Sequence, residues 1–378
     1  MVRLTKLDMR NNPLKIFPRE VLKTARYLHT VYSENYKLCC QQNLPDHFEA
    51  GSCFAPVDEI SSCDDLLRSD VYRVFLWLFC VLSITGNAGS FLFRQFLQKN
   101  SSALGFSVFV TNLNVSDFVM GVYLAILGVA DETYRSIYLW HDLQWRDSTT
   151  CKVAGFLSFM SSEVSTLIIC LITIDRFIVL RFPFSKFRFE RWSASWACGL
   201  AWAVGFTLAA VPLLPSFSDW EFYGQNAICI PLPITRKLFR GRSYSIDIMI
   251  ILNMVLFFII AFGQICIYWS IRVNSMKGNM ARKSNDVIIA RRLATVVVSD
   301  FLCWFPVGMA SILADLGFPV PSEASVAIAI FVLPLNSALN PFLYTFNFLL
   351  EKWNRVEEER NLKQLQLSLS YIDKSFNE

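Results

Sequence analysis

The sequence predicts an all-α membrane protein: a seven-transmembrane helix bundle with a short extracellular leucine-rich-repeat remnant. Three observations predict it. Of 378 residues, 54% are apolar and only 17% are charged, against about 25% charged in soluble domains. Seven apolar stretches are each long enough to cross a bilayer as a helix, which takes about 20 residues. The first residues carry a repeat-like spacing of leucines.

The front of the chain, LTKLDMRNNPLKIF, fits L-x-x-L-x-L-x-x-N-x-L with Leu4, Leu7, Met9, Asn12 and Leu14 in the slots. One such repeat cannot bury its own apolar face, and at least three are expected to stack. MVRLTKLDMR also lacks the apolar core of a signal peptide. The expectation is a fragment, a short isoform or an N-terminally truncated gene product, whose first span can itself act as a signal-anchor. The predicted domains are 1–35, a partial repeat end; 36–70, a cysteine-containing extracellular hinge; 71–348, the seven-span domain; and 349–378, a cytoplasmic tail with a short amphipathic helix.

The spans run over 74–93, 106–130, 153–180, 196–214, 246–271, 287–316 and 324–348. A soluble α-protein would need more shielding chain around seven buried helices than remains here. Lys and Arg set the orientation. With the N-terminus outside, the three inner loops and their span ends hold thirteen, including Arg176, Arg181, Arg188, Lys277 and Arg291. The outer side holds seven, four of them clustered between Arg236 and Arg242. The rule favours N-out and C-in.

The eleven cysteines sort by side. Cys39, Cys40, Cys53, Cys63, Cys151 and Cys229 fall outside, an even number in an oxidising space. The four hinge cysteines allow three pairings. Cys80, Cys170, Cys198, Cys266 and Cys303 fall within spans and read as buried thiols. The Asn-x-Ser/Thr matches at Asn100 and Asn114 lie on the inner side or in the membrane, so they read as chance.

Ionisable residues inside spans are costly and mark candidate functional positions. Here they are Asp117, Glu163, Asp175 with Arg176, Asp247, Asp286 and Asp300, with Asn87, Ser165, Asn336 and Asn340 as polar company. Any one alone is as readily a satisfied structural hydrogen bond. Their mutual agreement in depth argues otherwise.

Six motifs in order carry a resemblance. They are Gly86-Asn87; Asn112-Leu-Asn-Val-Ser-Asp117; Asp175-Arg176-Phe177; Trp202 with Pro212; Cys303-Trp304-Phe305-Pro306; and Asn340-Pro341-Phe342-Leu343-Tyr344. From Tyr72 to about Phe348 the chain resembles a rhodopsin-like G-protein-coupled receptor. Asp300 stands in the sixth helix where leucine-rich-repeat-bearing members carry an Asp in place of the usual aromatic. GVYLAILGVAD, SSEVSTL, FYGQNAICIPLP, FVLPLNSALNPFLYT and the adjacent Cys39-Cys40 are similar to relaxin receptors and their invertebrate relatives. Ile260 is the estimated position of the fifth-helix proline, absent here.

The resemblance implies a Cys151–Cys229 disulfide that fixes the outer mouth. It implies a G-protein switch of Asp175, Arg176, Asp286, Tyr268 and Tyr344. Arg176 lies 25 residues below Cys151, roughly 37 Å along a helix, and Asp286 precedes Pro306 by 20 residues, roughly 30 Å. Both therefore reach the inner surface, where Asp175 and Asp286 hold Arg176 at rest. The activation core comprises Asp300, Trp304, Pro306, Asn336, Asn340, Pro341 and Glu163. Pro306 removes a backbone donor and kinks the sixth helix beside Trp304. Asp300, near mid-membrane, faces Asn336 and Asn340 by depth. Asp117, Ser165, Asn336 and Asn340 match the family's allosteric sodium pocket; the alternatives are a protonated Asp117 or an all-protein network. No other cofactor is implied.

The implied function is transduction of an extracellular peptide or glycoprotein hormone signal to heterotrimeric G proteins at the plasma membrane. Arrestin is a further implied partner, and nucleic acid is not one. No HExxH, P-loop or GxSxG is present, and the three His lie outside the spans, which argues against an enzyme. A transporter would show inverted repeats and broken helices in both halves. Span 7 has no Lys for a retinal Schiff base, and Ser158 stands where amine receptors carry Asp. A signalling-impaired truncated form or decoy is the remaining alternative.

Overall fold

The structure is a computed structural model. It describes residues 4–12, 22–55, 60–97, 104–182, 188–220, 222–230, 240–275, 305–313 and 328–343, with residues 302, 316, 318, 357, 360, 361 and 364 singly. Asp286, Asp300, Cys303, Trp304 and Tyr344 lie outside the described residues, as does nearly all of the tail.

The helices follow the predicted apolar stretches. They are α1 (Asp70–Leu97), α2 (Leu104–Thr133), α3 (Tyr138–Asp147), α4 (Thr149–Arg181) and α5 (Arg191–Ala210). Then come α6 (Arg242–Ile246), a π-helical turn (Asp247–Leu252) and α7 (Asn253–Ser275), one continuous rod. Helices α1, α2, α4 and this rod of the fifth span overrun their stretches at both ends, and α5 starts earlier and stops at Ala210. Residues 305–313 are helical, and a second π turn (Ile328–Val332) leads into α8 (Leu333–Pro341). Four described stretches are long and apolar enough to cross a membrane: Asp70–Phe96, Gly105–Thr133, Arg191–Leu213 and Arg242–Ser270. Caps start two of the helices. Ser148 Oγ accepts from the Cys151 N–H (3.1 Å) at α4, and Ser193 Oγ accepts from the Glu190 N–H (2.9 Å) at α5.

Packing gives α4 the interior place. It lies against α2, α5 and α7, and α8 returns to α1 and α2. Of its 33 residues, 17 are buried, so its face meets protein on most sides. That is why it tolerates Glu163, Ser165 and Asp175. The outward faces of α1, α5 and α7 are apolar instead: Val74, Trp192, Trp196, Leu200, Phe258, Phe262 and Trp269 are all exposed. An apolar exterior around a polar-containing interior suits hydrocarbon solvent. Gly121 lets α2 close on α1; a Cβ there would sit 2.7 Å from Ile84 Cγ1.

A second, smaller core lies in front of the bundle. Three parallel strands, β1 (Lys6–Asp8), β2 (Thr30–Tyr32) and β3 (Cys53–Phe54), form one sheet in that order. Leu7 pairs with Val31, and Val31 with Cys53. Leu22, Ala25, Leu28, Val31, Leu38, Leu44 and Phe48 fill the core, and Leu4, Leu7 and Met9 pack on it. Sequence reading found one repeat-like segment; the structure adds a second strand 24 residues on, with Leu28 and Val31 in the slots of Leu4 and Leu7. Asn12 is exposed rather than turned into the sheet. The core continues across residue 35, and β3 of the hinge extends the sheet. The hinge cysteines pair Cys39–Cys53 and Cys40–Cys63.

The short helix α3 between α2 and α4 was not foreseen. Asp247 was placed within the fifth span, but it is exposed at the start of the π turn and does not enter the interior.

Candidate receptor core

The site is built in levels along α4. At the outer end, Cys151 and Cys229 form the expected disulfide. Cys229 takes a positive φ of 61°, which turns the loop inward. Its carbonyl presses on Gly155, where a Cβ would come within 2.2 Å of it. Phe222 and Tyr223 are buried in the mouth. The Tyr223 hydroxyl donates to the Ala209 carbonyl (2.7 Å), the Tyr123 hydroxyl to Ile228 (3.0 Å) and Trp145 Nε1 to Ala227 (2.7 Å). Burial pushes the Tyr223 phenol well above its ordinary value, so this hydroxyl stays a donor. The chain's own loop, through residues 222–230, thus packs onto the ends of α2, α3, α4 and α5.

The hinge docks on this outer end through ions. Asp142 of α3 is buried and pairs with Lys37 of the hinge and with Arg146 Nε (2.5 Å). It also accepts from the Tyr138 hydroxyl (2.5 Å), while Arg146 Nη1 reaches the Gln225 carbonyl (3.1 Å). Asp65 Oδ1 accepts from the Ser136 N–H (2.9 Å), and Asp131 accepts from the Leu67 N–H (3.0 Å) and pairs with Arg73. Hinge, first outer loop and second outer loop are thereby one connected body. Sequence reading missed this network, because Lys37 and Asp142 lie more than 100 positions apart with no local signal joining them.

At mid-depth, Asp117 is fully buried. Its Oδ1 accepts from Ser165 Oγ (2.9 Å) and its Oδ2 from Asn340 Nδ2 (2.7 Å). Three helices therefore meet on one carboxylate. Asn336 is buried one turn away on α8. Ser116, unforeseen, joins through Ser165 (3.0 Å) and locks α2 to α4 by exchanging bonds with Ser161: each hydroxyl donates to the other's carbonyl (2.9 and 2.7 Å). Asn87 Nδ2 bridges the Ser83 and Ser337 carbonyls (2.8 and 3.0 Å), and Pro341 packs against Gly86. Trp202 Nε1 donates to Asn112 Oδ1 (3.1 Å), joining α5 to α2. Among the described residues, Asn340 Oδ1 is buried without a donor.

Above this level Glu163, also fully buried, accepts from Asn253 Nδ2 of α7 (2.9 Å). This bond joins α4 to α7 through a residue that sequence reading did not name. Ile260, on the same helix, is fully buried. Pro306 lies in the helical stretch 305–313 and is partly buried.

At the inner end, Arg176 binds its neighbour Asp175 through Nε (2.9 Å) and Nη2 (2.5 Å) and stacks over the Phe106 ring at 4.3 Å. Asp175 is buried and Arg176 nearly so. Tyr268 is 58% exposed on the outer surface of α7 and is not brought to this pair. The expected partner Asp286 lies outside the described residues, as do Asp300, Trp304 and Tyr344 of the activation core.

Comparison with known proteins agrees with this geometry. The profile of the 7 transmembrane receptor (rhodopsin family) matches residues 92–344. The chain is 35% identical over 316 residues to the G-protein coupled receptor GRL101 of Lymnaea stagnalis, covering 83% of this chain and 28% of that one. It is 32% identical over 343 residues to relaxin receptor 2 of Homo sapiens, covering 89% and 45%. It is 29% identical over 298 residues to the follicle-stimulating hormone receptor of Cairina moschata, covering 78% and 41%. The chain thus spans less than half the length of these relatives.

Proposed function

This chain belongs to the rhodopsin family of 7 transmembrane receptors, and from that premise we propose that it passes an extracellular peptide or protein hormone signal to heterotrimeric G proteins. One observation carries the reading: a buried Asp175–Arg176 pair at the inner end of the helix that holds Ser165, Glu163 and Cys151 above it. A guanidinium kept at the inner mouth by carboxylates is poised to be released when a helix moves away. Asp286 and Tyr344 complete the pair from the sixth and seventh spans, and Tyr268 swings in from α7. Asp300 latches the sixth span to Asn336 and Asn340 beside Trp304 and Pro306. The orientation is N-out and C-in at the plasma membrane, and arrestin is a further partner of the inner face.

The outer end supports a macromolecular ligand over a small one. Phe222 and Tyr223 occupy the mouth, so a hormone acts through the sheet and hinge that dock on α3. The parallel sheet is read as the end of a leucine-rich-repeat array, with Leu4, Leu7, Leu28 and Val31 as its core positions.

Asp117, Ser165, Asn336 and Asn340 would hold a sodium ion. Their oxygens suit a hard monovalent cation, and the donorless Asn340 Oδ1 fits that role. Bound there, sodium supplies positive charge that keeps Asp117 ionised and the resting helices together.

Arg176→Ala tests the reading. Cells expressing the chain should show cyclic-AMP or calcium signal above vector, lost at least tenfold in Arg176→Ala at equal surface level. Silence of the wild-type chain at the surface, or equal signal from the variant, would refute it.

A further inference from the structure

Among the described residues, Asp131, Asp142 and Glu163 are buried acids that neither the Asp117 network nor the Asp175–Arg176 pair uses; Asp131 and Asp142 have cationic partners, and Glu163 has none. Its amide partner has an unusual place. Asn253 follows directly on the π turn Asp247–Leu252, whose backbone bonds run i→i+5 instead of i→i+4. Asn253 Nδ2 faces three acceptors: Glu163 Oε1 at 2.9 Å, the Ile248 carbonyl at 3.1 Å and the Met249 carbonyl at 3.4 Å. The two backbone carbonyls accept only, so the atom facing them is the nitrogen and the amide's orientation is settled. Asn253 therefore ties the π turn to α4.

Two atoms are left over. Glu163 Oε2 and Asn253 Oδ1 are both buried, and among the described residues neither has a hydrogen-bond partner. No cation among the described residues pairs with Glu163, and a buried unpaired carboxylate is costly. Tyr244 of α6 is the titratable neighbour, and its hydroxyl already donates to the Leu208 carbonyl at 2.7 Å. One proton satisfies both leftover atoms. We propose that Glu163 is a neutral carboxylic acid whose Oε2–H donates to Asn253 Oδ1, and that this two-way acid–amide clasp holds the fifth span in its π register. The proton is taken from water as the chain folds and stays on Oε2.

The clasp has a mechanical consequence. Removing one residue's worth of bulge turns a helix by roughly 100°. If the π turn relaxes to α geometry, α6 rotates against α7. Tyr244 rides on α6 and packs on Trp220 and Phe222 of the outer loop, with ring centroids 5.7 and 5.8 Å apart. The clasp thus links the core of α4 to the outer loop. This consequence rests on the receptor reading; the chemistry of the pair does not.

Two measurements on the purified chain in lipid nanodiscs test it, neither of which needs a G protein. The infrared spectrum of wild type minus Glu163→Gln should show a carboxylic-acid carbonyl band that shifts in D2O. A carboxylate band in its place overturns the proton. Gln keeps a donor and an acceptor, so Glu163→Gln should fold and keep the π register, whereas Asn253→Leu should lose it. Ser243→Cys and Ile251→Cys, both at exposed positions, report the register by alkylation. Their relative rates should change severalfold in the Asn253→Leu background and stay unchanged in Glu163→Gln. Unchanged rates in Asn253→Leu overturn the register role.

Discussion

Cys229→Ser should remove most of the protein from the cell surface. The disulfide closes a loop of 78 residues, and in the chain-entropy account such a crosslink is worth about 4–5 kcal/mol. That is a large part of the stability of most folded domains. The loss is concentrated at the mouth, where Cys229 holds a left-handed backbone against Gly155 and positions Ile228, Tyr223 and Phe222. Without it the Tyr123–Ile228 and Trp145–Ala227 bonds lose their anchor, and the hinge loses the surface it docks on. Antibody staining of an N-terminal tag on intact cells measures the effect. Cys151→Ser and the double variant should match Cys229→Ser, since each removes the same crosslink. Surface levels near wild type would show that the loop is held by its side-chain bonds alone.

Asp117→Ala should disable the bundle from its middle. It strips the acceptor from Asn340 Nδ2, leaving a buried donor unmet at about 1–3 kcal/mol, and leaves Ser165 only Ser116 as a partner. Because α2, α4 and α8 meet on this carboxylate, the loss acts on three helices at once. Melting in detergent should fall by several degrees, and signalling by at least tenfold at equal surface density. Asp117→Asn separates the two roles of the site. It keeps an acceptor and so should keep most of the stability. It gives up the negative charge and so should give up any dependence of signalling on sodium. A sodium response that persists in Asp117→Asn would remove the ion from this site.

The parts of this protein legible in its sequence are those that a bilayer or a shared motif constrains. A helix that crosses hydrocarbon must be apolar for about 20 residues, so α1, α2, α4, α5 and the rod from α6 to α7 were visible as stretches. Their ends were not, because interfacial turns such as Asp70–Arg73 are polar and still helical. Asp117, Ser165 and Asn340 come together as the motif resemblance implied, from positions up to 223 residues apart. What stayed hidden depends on tertiary packing. The π turn at Asp247–Leu252 has no proline or glycine to announce it, and Asn253 gained its meaning only from facing Glu163. The strand Thr30–Tyr32 carries Val31 where a repeat would show leucine, so its kinship with Lys6–Asp8 rests on a 24-residue offset alone. The hinge pairing Cys39–Cys53 and Cys40–Cys63 is one of three that spacing allowed. Helix α3 is short and half polar, and its buried Asp142 is held by Tyr138 and Arg146 of the same helix and by Lys37 arriving from the hinge.

On the proposed reading, a polar latch in the core restrains an Arg176 switch that drives a G protein. Asp300→Leu, alone and combined with Arg176→Ala, tests it most directly. Basal cyclic-AMP and calcium signals are measured in cells at matched surface levels. The predicted result is a severalfold rise in basal signal for Asp300→Leu that disappears in the double variant. An Asp300→Leu chain that reaches the surface and stays silent, or a rise that survives Arg176→Ala, would contradict it.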